Sequence, residues 1–480
     1  MPDQPTSTDP SDALVLFGIT GDLARKKIFP ALYAMVKRDT LSARVIGVAS
    51  SAMNYEQLRQ LIMESVRQAG TVDDEEALER LVALVSYVAG DYKNPDTFVR
   101  LGQALGEARR PAYYLAIPPA LFTTVLQALE TAKLNTGGRV IIEKPFGRDL
   151  ESAKQLNRVA CAVFADDMIF RIDHFVAMEA VRNLLYFRFA NTTMEPVWNC
   201  RYIDSVQISL SETFGIKGRG AFYESAGCLR DVVQNHLFQI MALLAMEQPA
   251  DQTPACIHDE KARVLKAVEP IQAAQLVRGQ YIGYRDEPRV DPHSDVETFC
   301  ALRLGINSER WAGVPWFLRS GKCMAQDKAE VLIQFKPPSP ALFDTQEPGA
   351  SRSSYLRFRL SPRPELALGV RVKRPGKAYA GTRRELTSLE ENMSEKHLPY
   401  ERLLTDAMQG DRGLFTSEAA IEAAWTAVEP VLNRHRACEP YEKGSWGPKA
   451  ADTLIAEHGG WDNSMPEAAT EAAAVKSGVT

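Results

Sequence analysis

Long apolar runs are missing from this 480-residue chain. The longest strongly apolar stretch, 240–246, is too short to span a bilayer, so no helical membrane span is expected. Paired cysteines are missing as well. Cys161, Cys200, Cys228, Cys256, Cys300, Cys323 and Cys438 are scattered, odd in number and contain no C-x-x-C. That argues against a disulfide scaffold or structural zinc and for reduced thiols in a cytosol. An excess of positive charge is missing too. Lys+Arg number 56 and Asp+Glu 61, a net charge of −5, which excludes a general basic footprint for nucleic acid. The 7 histidines are dispersed without ligand spacing, and H-E-x-x-H, G-x-S-x-G and Walker A motifs do not occur, so no metal is expected. Residues 1–12 have neither a basic start nor an apolar core, so they read as a disordered tail rather than a signal peptide, and a cytoplasmic location follows.

What remains is an ordinary globular composition, 45% hydrophobic and 24% charged, with enough chain for two or three domains. The first part of the chain alternates between two periods. Short β-rich runs at 14–17, 45–48, 85–88, 113–117, 140–142 and 168–172 are separated by helical stretches such as 55–68 and 75–84. Apolar strands alternating with helices imply a parallel sheet covered on both faces, a doubly wound α/β domain. After about residue 195 half-buried strand patterns recur at 203–211, 298–304, 330–335 and 355–360 without regular helices between them, so a mainly antiparallel sheet is expected. Helices return at 226–246, 400–409 and 418–433. The expected division is a tail (1–12), a Rossmann-like dinucleotide-binding domain (13–180), an α+β substrate and dimerisation domain (181–462) and a second disordered tail (463–480).

After the first strand come Gly18, Thr20, Gly21, Asp22, Leu23 and Lys27. Glycines at a strand–helix turn let the backbone approach a pyrophosphate seated on the helix N-terminus. The spacing is not G-x-G-x-x-G, and a tight turn with a helix cap is the plainer alternative. The end of the second strand, where an acid selects NAD and an arginine NADP, carries Ser50 and Ser51, so cofactor choice stays open between the two.

Asp173 and His174 close the sixth strand, at the carboxyl edge where such sheets place their sites. His236 lies within the 226–246 helix with Leu229, Val232, Val233 and Ile240 on its face, so it points inward. It is either a satisfied core histidine or, with Asp173 as orienter, a general base. Lys144, at the end of the fifth strand, is either an exposed loop lysine or a contact for a substrate hydroxyl.

The segments GITGDLARKKIFPALY, YLAIPP, EKPFGRDL, RIDHF, RDVVQNHLFQIMALLAME, VPWFLRSGKCM, YERLLTDAMQGDRGLF, AAW and GSWGP follow one another in this order. Together, over residues 14 to 457, the chain resembles the glucose-6-phosphate 1-dehydrogenases. The resemblance implies a Rossmann-like domain plus an α+β domain with a large antiparallel sheet. It also implies NADP- or NAD-dependent oxidation of a hexose C1 hydroxyl to a lactone, and assembly as a homodimer or homotetramer. On this resemblance His236 is the base and Asp173 its orienter. Lys144 positions substrate and cofactor with support from Lys27. Glu212 and Asp231 bind sugar hydroxyls, and Lys322 reaches the substrate.

The match breaks at one end of the site. The family pattern R-I-D-H-Y-L-G-K-E reads RIDHFVAME here, so Phe175 and Met178 replace a tyrosine and a lysine that help His174 bind the 6-phosphate. Asp327 replaces a third basic group, and Ser50 replaces an arginine. His174 and Met178, one helical turn apart, are expected on one face. Losing two hydrogen bonds to a charged group, about 1.5–3 kcal/mol each, predicts an affinity loss of roughly 10²–10⁴-fold for a phosphate. Lys328, Arg182 and Arg319 are candidate compensating bases. Three readings follow: an aldose dehydrogenase whose substrate is altered at the phosphate end, a glucose-6-phosphate dehydrogenase with a rebuilt phosphate site, and a non-catalytic sugar- or nucleotide-binding regulator. The basic stretch 352–384 reads as a solvated sheet edge rather than a second nucleotide site.

Overall fold

The computed structural model describes residues 9–70, 72–339, 354–376, 379, 381–389, 398–433 and 436–463. Most of both expected tails lies outside them, as does part of the basic stretch 352–384. The chain divides into two compact units. The first comprises Met1–Ala190, Gln234–Pro270 and Glu391–Asn433, and the second comprises Asn191–Val233, Ile271–Glu390 and Arg434–Thr480. Two stretches from the second half of the chain thus complete the first unit.

Six strands form the sheet of the first unit: β1 (Ala13–Phe17), β2 (Arg44–Ala49), β3 (Val85–Ala89), β4 (Pro111–Leu115), β5 (Arg139–Ile142) and β6 (Ile169–Arg171). Their order is β3-β2-β1-β4-β5-β6 and every pairing is parallel. Side chains alternate across the pleat, so each strand feeds two cores. Leu14 and Leu16 join the helices Phe29–Lys37, Tyr55–Ala69, Glu75–Leu84 and Pro399–Gln409 on one face. Ala13, Val15 and Phe17 join Pro95–Leu105, Phe122–Thr131 and Leu150–Val163 on the other. Each fully buried large apolar side chain in these layers contributes about 1.5–3 kcal/mol. Residues 9–12, placed in the expected N-terminal tail, are tied down at their end. Ser11 N donates to the Met408 carbonyl at 2.7 Å, and the Asp12 carboxylate accepts from the amides of Arg109 and Arg110.

The strand order reverses at β1, so the crevice between the carboxyl ends of β1 and β4 is the switch point where doubly wound sheets bind ligands. Gly18 occupies it with φ +84°, and a Cβ there would lie 2.2 Å from the Ala116 carbonyl oxygen. Only glycine allows this close approach.

Among the described residues the second unit carries a nine-stranded sheet: β7 (Ile203–Ser211), β8 (Leu276–Tyr281), β9 (Phe299–Leu304), β10 (Trp316–Gly321), β11 (Lys328–Phe335), β12 (Tyr355–Ser361), β13 (Glu365–Lys373), β14 (Gly381–Leu389) and β15 (Glu439–Tyr441). It is mainly antiparallel, as expected, but β10–β7 and β15–β8 pair in parallel. The basic edge is not simply solvated. Arg357 binds Glu365 and Glu385 at 2.9 and 3.0 Å, and Arg359 binds Glu365 at 2.9 Å, so glutamates already neutralise its buried arginines.

The helix expected over 226–246 is not one regular α-helix. The helix Gly220–Cys228 is broken at Gly227, whose φ is +64° and whose Cβ would lie 2.5 Å from Glu297 Oε1. Leu229–Leu237 is wound as a π-helix, and Phe238–Ala245 returns to α. Wide turns of this kind cluster at functional sites. No helix among the described residues is long and apolar enough to cross a membrane.

Candidate active site

Asp173 is fixed by the strand that precedes it. Ile172 bridges antiparallel to Phe415, and the Thr416 amide donates to the Arg171 carbonyl at 3.0 Å. Beyond Ile172 the chain turns sharply. The Phe175 amide donates to Asp173 Oδ1 at 3.0 Å, and the Met178 amide donates to the Phe175 carbonyl at 3.1 Å. The segment 174–178 is therefore a run of turns ahead of the helix Glu179–Ala190. The expectation that His174 and Met178 share a helix face does not hold, because 174–178 are wound in turns and the helix begins only at Glu179.

His236 is 2% exposed and Asp173 4%. Asp173 Oδ1 lies 2.6 Å from His236 Nδ1. An ionised carboxylate only accepts, so the proton belongs on Nδ1 and the Nε2 lone pair is left for chemistry. Lys144 Nζ lies 2.7 Å from that Nε2. Three groups from separate parts of the first unit thus form one chain: carboxylate, imidazole, ammonium. Burial alone would raise the Asp173 pKa. The charge and hydrogen bond of His236, then His174 and Lys144, overcome burial and hold the carboxyl well below its usual range. The Phe175 ring lies over the imidazole, centroid to centroid 4.3 Å, and shields the pair from water.

His174 meets His236 edge-on at 4.8 Å and stacks near Tyr400 at 6.1 Å. Burial, then the positive fields of His236 and Lys144 and, further down, Lys27, push its pKa well below the usual value. It is neutral at physiological pH and brings no cationic charge to an anion. Asp173, His174 and His236 each present a ligand atom within 4.8 Å of the others. Asp173 occupies one nitrogen of His236 and an ammonium meets the other, which suits proton handling rather than a cation.

Sequence reasoning missed the layer beneath Lys144. Glu143 is fully buried and accepts from the Tyr114 hydroxyl and from Tyr400, which together with Lys144 only partly offset the rise in its pKa on burial. Glu143 was visible beside Lys144. Tyr114 and Tyr400 carry no spacing signal, because β4 and the helix Pro399–Gln409 meet only in the fold.

The dinucleotide elements are assembled in the same unit. Gly18 and Gly21 form a turn closed by a 2.9 Å bond from Gly21 N to the Gly18 carbonyl. Asp22 and Leu23 open the helix, and the segment Ala24–Ile28 is π-wound. Thr20 accepts from Arg25 through its carbonyl at 3.2 Å, and Lys27 is exposed. Ser50 and Ser51 stand exposed beyond β2. The Gly18 cradle and the helix start fit a pyrophosphate.

The remaining expected residues belong to the second unit. Glu212, just past β7, is ion-paired with Lys322, whose ammonium also lies 5.5 Å from the Phe214 ring centroid. Asp231 lies in the π-helix and is half-buried. Asp327 accepts from the Thr213 amide and hydroxyl at 2.7 and 2.8 Å, so it acts as a local cap. Two of the candidate compensating bases are committed elsewhere. Lys328 is buried on Glu330 at 2.7 Å. Arg319 is buried between Trp446 and Trp461. Arg182, in the first unit, pairs with Glu179 at 3.4 Å.

A doubly wound sheet with a glycine cradle at its switch point, beside a buried His–Asp pair, defines a dinucleotide-dependent oxidoreductase. The comparisons give the family. Residues 15–183 match the model of the glucose-6-phosphate dehydrogenase NAD binding domain, and residues 185–462 match that of the glucose-6-phosphate dehydrogenase C-terminal domain. The chain is 39% identical over 463 residues to glucose-6-phosphate 1-dehydrogenase 1 of Mycobacterium tuberculosis, covering 96% of this chain and 98% of the relative. It is 38% identical over 482 residues to the cytoplasmic glucose-6-phosphate 1-dehydrogenase 5 of Arabidopsis thaliana, covering 95% and 93%. The crystal structure of glucose-6-phosphate 1-dehydrogenase from Mycobacterium avium superposes with a TM-score of 0.89 at 39% identity, over 95% of this chain and 99% of that one. A glucose-6-phosphate dehydrogenase bound to glucose 6-phosphate gives 0.87 at 33% identity, over 96% and 100%. The chain belongs to the glucose-6-phosphate dehydrogenase family and is an oxidoreductase with an NAD(P)-binding domain.

Proposed function

We propose that this enzyme oxidises the C1 hydroxyl of a hexose to a lactone, the hexose being glucose 6-phosphate or a related aldose altered at the phosphate end. The observation that carries the reading is the Asp173–His236–Lys144 chain of contacts at 2.6 and 2.7 Å. His236 Nε2 takes the hydroxyl proton as the C1–H bond gives up its hydride. Asp173 keeps the imidazole oriented and stabilises the imidazolium that forms. Lys144 withdraws from Nε2 to admit the hydroxyl and then holds the sugar oxygen. NADP or NAD, when bound, supplies the hydride acceptor. Gly18, Thr20, Gly21, Asp22, Leu23 and Lys27 would hold its pyrophosphate side and Ser50 its ribose side. No arginine stands at Ser50 to select a 2′-phosphate, so both dinucleotides remain substrates of this reading.

Glu212, Asp231 and Lys322 are assigned to the sugar, with the Glu212–Lys322 pair as an existing carboxylate–ammonium unit for hydroxyl groups. His174, Phe175, Met178 and Asp327 are the positions this reading assigns to the 6-phosphate. His174 is neutral, Phe175 and Met178 have no strong donor, and Asp327 is spent on Thr213. These features support weak binding of a phosphate. The intact His–Asp pair favours catalysis over a purely regulatory role. The domain ranges 13–180 and 181–462, a homodimeric or homotetrameric assembly and a cytoplasmic location belong to the same reading.

The test is a panel of glucose, glucose 6-phosphate and amino or acidic hexoses, each with NAD and with NADP. Turnover of at least one hexose, abolished by His236→Asn, is expected. A KM for glucose 6-phosphate in the lower micromolar range would contradict the altered phosphate end. No turnover of any hexose would contradict the reaction.

A further inference from the structure

Asp173 spends only one of its two carboxylate oxygens on His236. Oδ1 accepts from His236 Nδ1 at 2.6 Å and from the Phe175 amide at 3.0 Å. Oδ2 is buried, and among the described residues no group donates to it. Arg171 Nη2, Gln239 Oε1 and Thr416 Oγ1 are likewise buried without hydrogen-bond partners among the described residues. The four side chains belong to residues no more than 5% exposed, and all four residues line one cavity of about 30 Å³ within the first unit. Buried polar atoms are nearly always paired, so four orphans around one small cavity call for a shared partner.

The fold brings the four together. The antiparallel bridge between Ile172 and Phe415, with the 3.0 Å bond from the Thr416 amide to the Arg171 carbonyl, sets Thr416 beside the strand that leads to Asp173. Gln239 follows His236 by three residues, so one helical run supplies both the imidazole on Oδ1 and an amide at the cavity. Arg171 is fixed by Asn157 at 3.3 Å and Asp166 at 3.2 Å, and Glu418, 3.8 Å from Nη2, is beyond hydrogen-bond reach.

The donor set selects the occupant. Asp173 Oδ2 and Gln239 Oε1 both accept, so neither can serve the other, whereas Arg171 Nη2 donates and the Thr416 hydroxyl can do either. Water matches this set with two donors and two acceptors, and its share of liquid volume is about 30 Å³. The opposite charges of Arg171 and Asp173 favour a neutral occupant over an ion.

We propose that this cavity binds one ordered water, which Thr416 and Gln239 hold on Asp173 Oδ2 as the outermost link of the Asp173–His236–Lys144 chain. Thr416 and Gln239 are thereby positioning residues: the water donates to Oδ2 and keeps the carboxylate from turning away from His236. The inference rests on the reading of Asp173 and His236 as orienter and base. Without that donor the carboxylate is more basic and favours the imidazolium, so the proton affinity of His236 rises. His174, Lys144, Tyr400 and Lys261 also interact electrostatically with Asp173, but the variants below leave them intact, so a shift reports on Oδ2.

The first experiment is a crystal structure of the unaltered full chain at a resolution that shows ordered water. One water peak is expected within hydrogen-bond distance of Asp173 Oδ2, Thr416 Oγ1 and the Gln239 amide. The second compares pH profiles of kcat/KM with glucose 6-phosphate or glucose, whichever turns over faster. Thr416→Val, which removes the hydroxyl at nearly constant volume, moves the acidic limb up by roughly half a pH unit with KM within a few-fold of wild type, and Thr416→Ser keeps the wild-type limb. A merely structural threonine would change stability and leave the limb in place. Should the valine variant not fold, the water peak in the unaltered protein decides. No water on Oδ2, or a wild-type limb in folded Thr416→Val, overturns the proposal. Full activity in His236→Asn would instead overturn the base assignment while the water peak stays, so the two failures are distinct.

Discussion

Lys144 Nζ sits 2.7 Å from His236 Nε2, on the lone pair that must accept the substrate proton. The free enzyme therefore stores its base capped by the group that later holds the sugar. Lys144→Ala uncaps it and removes a cation. The acidic limb of the kcat/KM profile rises, because a nearby positive charge disfavours imidazolium. At the same time kcat falls by roughly 10²–10³-fold, since the sugar oxygen loses its donor. A profile that keeps its acidic limb would mean that the contact has no bearing on the base.

Asp173→Asn retains an acceptor for the Phe175 amide but loses the negative charge opposite His236 Nδ1. The imidazole loses both its fixed tautomer and the stabilisation of its charged form. A fall in kcat of about 10²–10⁴-fold with little change in substrate dissociation constant is expected from pre-steady-state kinetics. A change confined to KM would assign Asp173 to substrate binding instead.

Ser50 stands exposed beyond β2. Ser50→Arg adds a fork of donors suited to a 2′-phosphate. The ratio of kcat/KM for NADP over NAD should rise by about tenfold or more, a change of about 1.4 kcal/mol. An unchanged ratio would place the adenosine ribose elsewhere.

Phe175→Tyr with Met178→Lys should raise kcat/KM for glucose 6-phosphate relative to glucose by about tenfold or more. Asp327 is best left in place, because it caps the Thr213 amide and hydroxyl. If the ratio does not move, these positions do not line the phosphate end.

His258 makes stability depend on pH. Burial, then Lys261 and Arg412, lower its pKa to about 3, against an ordinary value near 6.5. The folded state keeps it neutral and the unfolded state protonates it, so stability is whole above pH ~6.5 and is lost as pH falls toward 3. Each such histidine contributes about 1.4 kcal/mol per pH unit in that window, and half-buried His174 acts in the same direction. Urea unfolding of His258→Gln between pH 6.5 and 5 should show a slope shallower by about one proton. An unchanged slope would contradict the assignment.

Much of this was legible in the residues. Apolar strands alternating with helices marked the parallel sheet, and the glycine turn marked its switch point. The inward face of His236 could be read as well, but not the π-winding of Leu229–Leu237, since a widened turn leaves the same apolar pattern as an α-turn. The turn at 174–178 escaped because no glycine or proline within it marks a break in the helical pattern. Tyr114 and Tyr400 escaped for a different reason: they meet Glu143 only in the fold, from positions distant in sequence.

The most direct test of the central claim is single-turnover reduction of NADP and NAD by the preferred hexose in wild type and His236→Asn, with hexose binding measured alongside. The account predicts a loss in rate of at least about 10³-fold with binding within a few-fold of wild type. A His236→Asn rate within tenfold of wild type would contradict it.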